Sequence, residues 1–360
     1  MDRLEKAILC TIHLIPGLGN RSLWKILDEF GSFQNFFQAD KKTLYTSFLK
    51  TEIIDKLLEK RKMSPEIVME EYRSHDIEIV TWDESLYPQS LRNISNPPMI
   101  LYYRGDIRVT EQICLAVVGS RAASVYGRNV ARKLAREMAE SGIVIVSGMA
   151  RGIDSEAHRG ALEAGKTIAI LGSGLNVIYP PENRKLFQEI TASGIVISEF
   201  PLNNHPEPVN FPLRNRIISG LCRGVVVVEG KEKSGALITA DFALEQGRDV
   251  FAVPGPINSK TSVGPNNLIK QGAILVTGID DILEEYYDIN RTPGTLRQDR
   301  LLLLDDNEKM VLEQLVHESL HFDELIQICG LEIGTLSTAL FKLEFAGIIK
   351  SLPGNYYVRI

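Results

Sequence analysis

The stretch from residue 113 to residue 148, ICLAVVGSRAASVYGRNVARKLAREMAESGIVIVSG, decides the fold class. It opens with a continuous apolar run, Ile113–Gly119, and closes with a second one, Ile143–Ser147. A polar turn and a segment with the spacing of an amphipathic helix lie between them. Continuous apolar runs are typical of strands that are covered by helices on both faces. The stretch therefore predicts a strand, a helix and a second strand parallel to the first.

Four more apolar runs of the same kind follow along the chain. They are Thr167–Gly172, Ile195–Glu199, Val225–Glu229 and Val250–Val253. Six such strands alternating with helices predict an α/β domain over residues 76–287. Its sheet should be an extended Rossmann-like, doubly wound parallel sheet.

Different patterns flank this α/β region. Residues 1–75 carry apolar residues at three- and four-residue spacing and predict a helical domain. The turn at residues 15–21 within it is compatible with a helix-hairpin-helix, whose amides face a DNA phosphate, and equally with an ordinary turn. Residues 288–304 have the composition of a linker. Residues 305–360 predict three short helices and a hairpin, which together make a winged-helix domain.

Composition limits the functions that the chain can have. The 360 residues are 44% hydrophobic and 24% charged, with a net charge of −6, so nucleic-acid binding would need locally concentrated Lys and Arg. The cysteines are scattered, which predicts no zinc site, no disulfide framework and a reducing compartment. They are Cys10, Cys114, Cys222 and Cys329. Without a signal-peptide pattern or a long apolar run, we expect a cytoplasmic protein.

The candidate site lies where the predicted strands end, because open α/β sheets bind ligands at that edge. Glycines and serines after the strands let backbone amides approach an anion. The same segments carry several cations. These are Arg121, Arg151, Arg214, Arg216, Lys231 and Lys233. Several phosphate-binding elements side by side suit a polyanion, and Phe211 offers a surface on which an unpaired base can stack. The pattern favours single-stranded nucleic acid.

Each of these elements has a simpler interpretation. A glycine-rich turn is compatible with tight packing of strand and helix, and Phe211 with a residue that staples the start of a helix. Asp154 and His158 fit an ordinary helix start better than a catalytic pair. The turn after the first strand lacks the GxGxxG pattern of dinucleotide-binding proteins. We therefore predict no catalytic residue, no metal site and no cofactor.

Six motifs together resemble the DNA-processing protein A family, called DprA or Smf. They are YPQSLRNISNPPMILYYRGD (Tyr87–Asp106), VVGSRAASVYG (Val117–Gly127), SGMARGIDSEAH (Ser147–His158), FPLRNRIISG (Phe211–Gly220), SGALITADFALEQGRDVFAVPG (Ser234–Gly255) and GPNNLIKQGA (Gly264–Ala273). The resemblance covers nearly the whole chain. It implies an extended Rossmann domain that binds single-stranded DNA, a SAM-like helical domain before it and a winged-helix domain after it.

The resemblance also implies a role and a set of contacts. Members of this family accept incoming single-stranded DNA during natural transformation and load the RecA recombinase onto it, as dimers formed through the Rossmann domain. The implied DNA contacts, with Lys233 added from the charge pattern, are Gly119, Ser120, Arg121, Arg151, Phe211, Arg214, Asn215, Arg216, Lys233, Ser234 and Gly235.

The charge of residues 305–360 and a second resemblance of the scaffold also bear on function. Residues 305–360 hold nine acidic and four basic residues, and phosphate would repel so acidic a module, which favours a protein-contact or regulatory role. The same scaffold also resembles the nucleoside-monophosphate phosphoribohydrolases, which carry the signature PGGxGTxxE. Residues 229–236 read EGKEKSGA instead, so we expect no such enzyme.

Overall fold

The computed structural model describes residues 1–286, 305–315, 319–345 and 349–359. The chain divides into two compact units, Met1–Asn290 and Arg291–Ile360. The helices of the first unit are α1 (Arg3–His13), α2 (Asn20–Phe30), α3 (Phe33–Gln38), α4 (Lys41–Thr46), α5 (Thr51–Lys60), α6 (Pro65–Ser74), α7 (Gln89–Arg92), α8 (Val125–Glu140), α9 (Ile153–Leu162), α10 (Arg184–Ser193), α11 (Asn210–Leu221), α12 (Gly235–Glu245), α13 (Val263–Lys270) and α14 (Asp280–Leu283). Its strands are β1 (Glu78–Thr81), β2 (Ile100–Gly105), β3 (Cys114–Gly119), β4 (Val144–Ser147), β5 (Thr167–Leu171), β6 (Ile195–Ser198), β7 (Gly224–Glu229), β8 (Asp249–Ala252) and β9 (Ile274–Leu275).

The nine strands form one sheet in the order β1-β2-β6-β5-β4-β3-β7-β8-β9. Strands β3 to β9 are parallel to one another, and the six predicted runs became β3 to β8. The sequence analysis missed β1 and β2, which add an antiparallel edge to the sheet. The strand order reverses between β3 and β7, and ligands of doubly wound sheets bind at such a reversal.

The core explains why the strand runs are continuously apolar. Leu115 and Val117 of β3 belong to a cluster on one face of the sheet, with α8 and α9. Ala116 and Val118 belong to a second cluster on the other face, with α11 and α12. Successive residues of a strand point to opposite faces, so a strand that is covered on both faces must be apolar throughout. The doubly wound fold is confirmed.

The N-terminal helices share a third core with the sheet. Tyr72 of α6 stacks on Tyr102 of β2 with ring centroids 4.8 Å apart, and His13 Nδ1 lies 2.9 Å from the Tyr102 hydroxyl. Helices α1–α6 are therefore packed on the sheet within the first unit. The domain boundary near residue 75 stays a prediction, and the linker expected at 288–304 lies outside the described residues.

The second unit has the predicted winged-helix elements. They are α15 (Asp306–Gln314), β10 (Leu320–His321), α16 (Phe322–Cys329), α17 (Ile333–Phe345), β11 (Ile349–Leu352) and β12 (Tyr356–Arg359). The strands pair in the order β10-β12-β11, and capping boxes at Asp305 and His321 start α15 and α16. Within the described ranges no single helix is long and apolar enough to cross a membrane. Only α16 and α17 together pass that test, with a bend of 113° between them.

Candidate nucleic-acid interface

An open groove of about 570 Å³ lies at the carboxyl ends of β3 and β7, where the strand order reverses. It brings together nine of the eleven predicted site residues. They are Gly119, Ser120, Arg121, Phe211, Arg214, Asn215, Lys233, Ser234 and Gly235. Segments up to 116 residues apart in the chain meet here because parallel strands deliver their C-terminal loops to one edge.

Phe211 is half-buried at the centre of this groove. The exposed Arg121 guanidinium lies over its ring, 4.6 Å from the centroid, and the Tyr179 ring centroid is 6.0 Å away. A Cβ at Gly172 would come within 3.0 Å of the ring, so this glycine makes room for it. Phe211 therefore lies close to Gly172 and has the Arg121 guanidinium over its ring.

Arg214 lies at the floor of the groove and is only 3% exposed. Its Nη1 donates to the carbonyl oxygens of Gly148, at 2.7 Å, and of Ile170. These two hydrogen bonds connect the C-terminal ends of β4 and β5. Burial lowers the pKa of Arg214 to about 10, although the nearby Asp154 opposes this shift. The guanidinium therefore stays charged at neutral pH. Burial and these hydrogen bonds hold the positive charge of Arg214 at one position in the groove.

The start of α12 forms another wall. Asn215 Nδ2 donates to the Gly235 carbonyl at 3.1 Å and ties α11 to the first turn of α12. Ser234, just before the helix, has a buried Oγ without a hydrogen-bond partner in the described structure, and the space beside Gly235 is open. Lys231 and Lys233 are exposed on the preceding loop. A helix start with an unpaired hydroxyl beside it and two lysines on the preceding loop suits a phosphate group.

The start of α8, in contrast, is already occupied. Glu229, at the end of β7, accepts hydrogen bonds from the Ser124 amide, at 2.9 Å, and from the Ser124 hydroxyl, at 2.6 Å. Its carboxyl carbon would lie 2.4 Å from a Cβ on Gly127, in the first turn of α8. Dinucleotide-binding Rossmann domains hold a pyrophosphate at this helix start. Here a carboxylate of the chain itself fills that position.

Two predicted residues do not join the groove. Arg151 is exposed and pairs with Glu182 beside a small adjacent recess that Tyr179 and Phe211 also line. Arg216 is buried, with its Nη2 2.5 Å from Glu199 Oε2. Residues two apart on a helix point about 200° apart, so Arg214 and Arg216 of α11 face different sides. The structure does not bring Arg216 to the groove.

Sequence reasoning missed one residue of the groove. Tyr179 lines the groove, and the only signal for it was an aromatic residue in the loop after the third predicted strand.

One sequence pattern is misleading. The letters GALEAGKT at 160–167 match the P-loop pattern GxxxxGK[ST]. They run from the end of α9 into β5, whereas a P-loop runs from a strand into a helix. This segment is therefore not a nucleotide-binding loop.

Asp154 and His158 have different hydrogen-bond partners. Asp154 lines the groove and accepts a hydrogen bond from the Ala150 amide, and burial raises its pKa. His158 is fully buried, with Nδ1 2.7 Å from the Thr167 hydroxyl. That hydroxyl donates to the Ile145 carbonyl, so His158 Nδ1 carries the proton. No hydrogen bond joins the two side chains in the described part of the chain.

Comparison with known proteins settles the family. Residues 78–287 match the family described as DNA recombination-mediator protein A, and residues 298–355 match the DprA winged helix domain. The chain belongs to this family.

The relatives match over most of the chain. Protein Smf of Synechocystis is 34% identical, and the match covers all of both chains. The crystal structure of DNA processing protein A from Streptococcus pneumoniae shares 36% identity with a TM-score of 0.64, covering 76% of this chain and 95% of that one. A Helicobacter pylori DNA processing protein A, described for its single-stranded DNA binding mode, shares 30% identity with a TM-score of 0.54, covering 59% and 96%.

Proposed function

We propose that the groove at the ends of β3 and β7 binds single-stranded DNA in the cytoplasm, and that the protein is not an enzyme. The observation that carries this proposal is the meeting of Arg121, Phe211 and the start of α12 in one open groove. The description of the Helicobacter pylori relative supports the same ligand. An open groove with cations on several segments fits a chain of phosphates better than one small substrate.

The groove divides the work of binding between two kinds of contact. The start of α12, Ser234 and the lysines of its loop supply phosphate contacts that do not depend on sequence. Phe211 and Tyr179 supply aromatic surface for unpaired bases. Stacked base pairs in a duplex hide the base faces, so single strands should bind more tightly than duplexes.

Fluorescence anisotropy with labelled oligonucleotides across a salt series tests this proposal. We expect tighter binding of single strands than of duplexes of equal length. We also expect log affinity to fall with log salt by about 0.7 for each phosphate contact. Equal affinity for both forms, or no salt dependence, would remove the proposal.

We further propose that the protein passes its DNA to the RecA recombinase during natural transformation and acts as a homodimer through the Rossmann domain. The family supports this role. Strand β9 lies at the edge of the sheet with Leu275 exposed, and Lys270 is exposed at the end of α13, so this edge suits a second copy.

Sedimentation and a RecA strand-exchange assay address these two points separately. We expect dimers at micromolar concentration, weakened by Lys270→Glu, and faster RecA filament formation on DNA. A monomer that still accelerates RecA would exclude the dimer. No effect on RecA would leave a protein that only protects DNA. Release of free base from nucleoside monophosphates would instead indicate a phosphoribohydrolase.

A further inference from the structure

Glu229, at the end of β7, is a buried carboxylate that the proposed DNA contacts do not use. It is 3% exposed and is not among the residues that line the groove. It accepts hydrogen bonds from the Ser124 amide at 2.9 Å, the Ser124 hydroxyl at 2.6 Å and the Thr261 hydroxyl at 3.1 Å. None of these three donors is a cation. Burial of a carboxylate costs free energy, so a carboxylate held only by neutral donors calls for a reason.

The two loops that meet at Glu229 carry the exposed cations of the groove. Ser124 ends the loop after β3, which carries Arg121, and Lys231 and Lys233 follow Glu229 in the loop after β7. The register of the β3–β7 pair shifts at the last residues of β3, so regular backbone pairing does not extend into these loops. Beyond that point the Glu229 side chain joins them.

Other hydrogen bonds fix the loop that carries Arg121 to helices. The Arg128 guanidinium of α8 donates to the Ala123 carbonyl at 2.8 Å, and an amide at the start of α9 donates to another carbonyl of the loop at 3.2 Å. The bonds between Ser124 and Glu229 tie the same loop to the end of β7. They therefore set the spacing between this loop and the loop that carries the two lysines.

Gly127, in the first turn of α8, makes room for this carboxylate. A Cβ there would lie 2.4 Å from the Glu229 carboxyl carbon and 2.5 Å from its Oε2. The backbone of Gly127 is not in the left-handed region, so its conformation does not require a glycine. A glycine inside a helix is less stable than an alanine. The chain thus gives up helix stability at this position and keeps the space that Glu229 occupies.

We propose that Glu229 is a positioning residue for the DNA groove. Its carboxylate occupies the start of α8 and holds the loop that carries Arg121 at a fixed spacing from Lys231 and Lys233. Cations on loops that are already ordered bind successive phosphates of a strand with a smaller loss of conformational freedom. This role rests on the proposed binding of single-stranded DNA.

The affinity of the full chain for a labelled single strand, measured by fluorescence anisotropy, tests this role. Glu229→Gln keeps the shape of the side chain but offers one acceptor oxygen in place of two. We expect the affinity to fall about tenfold. The loss of a negative charge alone predicts the opposite sign, because DNA is an anion. Glu207→Gln is the matched control, since Glu207 is exposed between the groove-lining Pro206 and Pro208, and its affinity should stay the same or rise.

A double-mutant cycle with Arg121→Ala separates positioning from a general loss of stability. If Glu229 acts through the loop that carries Arg121, Glu229→Gln should cost less than about twofold once Arg121 is already alanine. A general loss of stability would weaken binding by the same factor in both backgrounds. The melting temperature of each variant without DNA shows that it is folded.

Gly127→Ala displaces the carboxylate without removing its charge, and it keeps the test decisive if Glu229→Gln does not fold. We expect a comparable loss of affinity, although alanine favours the helix. Gly334→Ala is the matched control, because it lies in the first turn of α17 with nothing within 4 Å of a Cβ, and it should leave the affinity unchanged.

Two negative results have different meanings. Unchanged or higher affinity in the folded variants, or equal factors in the two backgrounds of the cycle, would overturn the role of Glu229 while single-strand binding by the unaltered chain stands. No single-strand binding by the unaltered chain would overturn the proposed function, and this role with it.

Discussion

Two regions of this chain have folds that other proteins use to bind nucleic acid, and they are chemically opposite. The groove of the first unit exposes Arg121, Lys231 and Lys233 beside a helix start and an aromatic ring. The winged-helix unit presents α17, the helix that would read DNA in such a domain, with Ile333 and Phe341 65% and 69% exposed. One region shows cations where the other shows apolar side chains.

The single lysine of α17 sharpens this difference. Lys342 Nζ lies 3.1 Å from Asp305 and 3.0 Å from Glu308, both at the start of α15. These carboxylates raise the pKa of Lys342, but they also neutralise its charge toward a phosphate. We therefore expect surface charge, and not the fold alone, to decide which of the two regions binds DNA.

The largest effect should follow from removing two exposed cations of the groove. Arg121→Ala with Lys233→Ala should weaken single-strand binding at every sequence. The log–log salt slope should flatten by about 1.4, since each phosphate contact contributes about 0.7. The matched control, Lys309→Ala with Lys350→Ala in the winged-helix unit, should leave both quantities unchanged. Anisotropy titrations measure both, and equal losses in the two variants would erase the contrast between the units.

Removing the aromatic ring of the groove should cost somewhat less. Phe211→Ala should weaken single-strand binding by about 1–3 kcal/mol if the ring stacks on a base. Phe211→Leu keeps apolar bulk against Gly172 without a flat ring, so it should lose similar affinity and keep the melting temperature. Phe341→Ala on α17 should not change DNA affinity. Full affinity in Phe211→Leu would show that the ring only packs.

The stability of the first unit should depend on pH because two of its histidines, His13 and His158, are buried. Burial lowers the pKa of His13 to about 4 and that of His158 to about 3, from the ordinary value of 6.5. Below pH 6.5 the unfolded chain binds protons that the folded one refuses, so stability falls as pH falls toward 4. Between pH 7 and pH 5 each should cost about 2 kcal/mol. Urea unfolding at both pH values measures this, and His158→Asn, which keeps an N–H donor, should remove about half of the loss.

The sequence was sufficient for the parallel part of the fold because buried strands must be apolar throughout. The runs that became β3 to β8 carried this signal. The antiparallel strands β1 and β2 did not, because β1 is only four residues long and both lie among loops rich in proline and polar residues. Their place at the sheet edge depends on pairing with β6, a contact across about 95 residues that no local pattern encodes.

The candidate site was predictable to the level of the loop and less so to the level of the side chain. Parallel strands send their C-terminal loops to one edge, so Gly119, Phe211 and Ser234 could be grouped from sequence. The direction of a side chain on α11 could not, because Arg214 and Arg216 are separated by the turn of the helix. The role of Glu229 was open as well, since only the structure shows its contact with the start of α8.

The smallest effect should come from removing the winged-helix unit. A chain that ends at Asn290 keeps the whole first unit, including every groove residue. Because residues 305–360 carry a net charge of −5, their loss should leave single-strand affinity within about twofold, or raise it slightly at low salt as repulsion is removed. Circular dichroism and thermal unfolding check that the shortened chain is folded, and anisotropy measures its affinity beside the full chain. A folded but non-binding chain would mean that the acidic unit contributes to DNA binding. In that case surface charge would not be what separates the two regions.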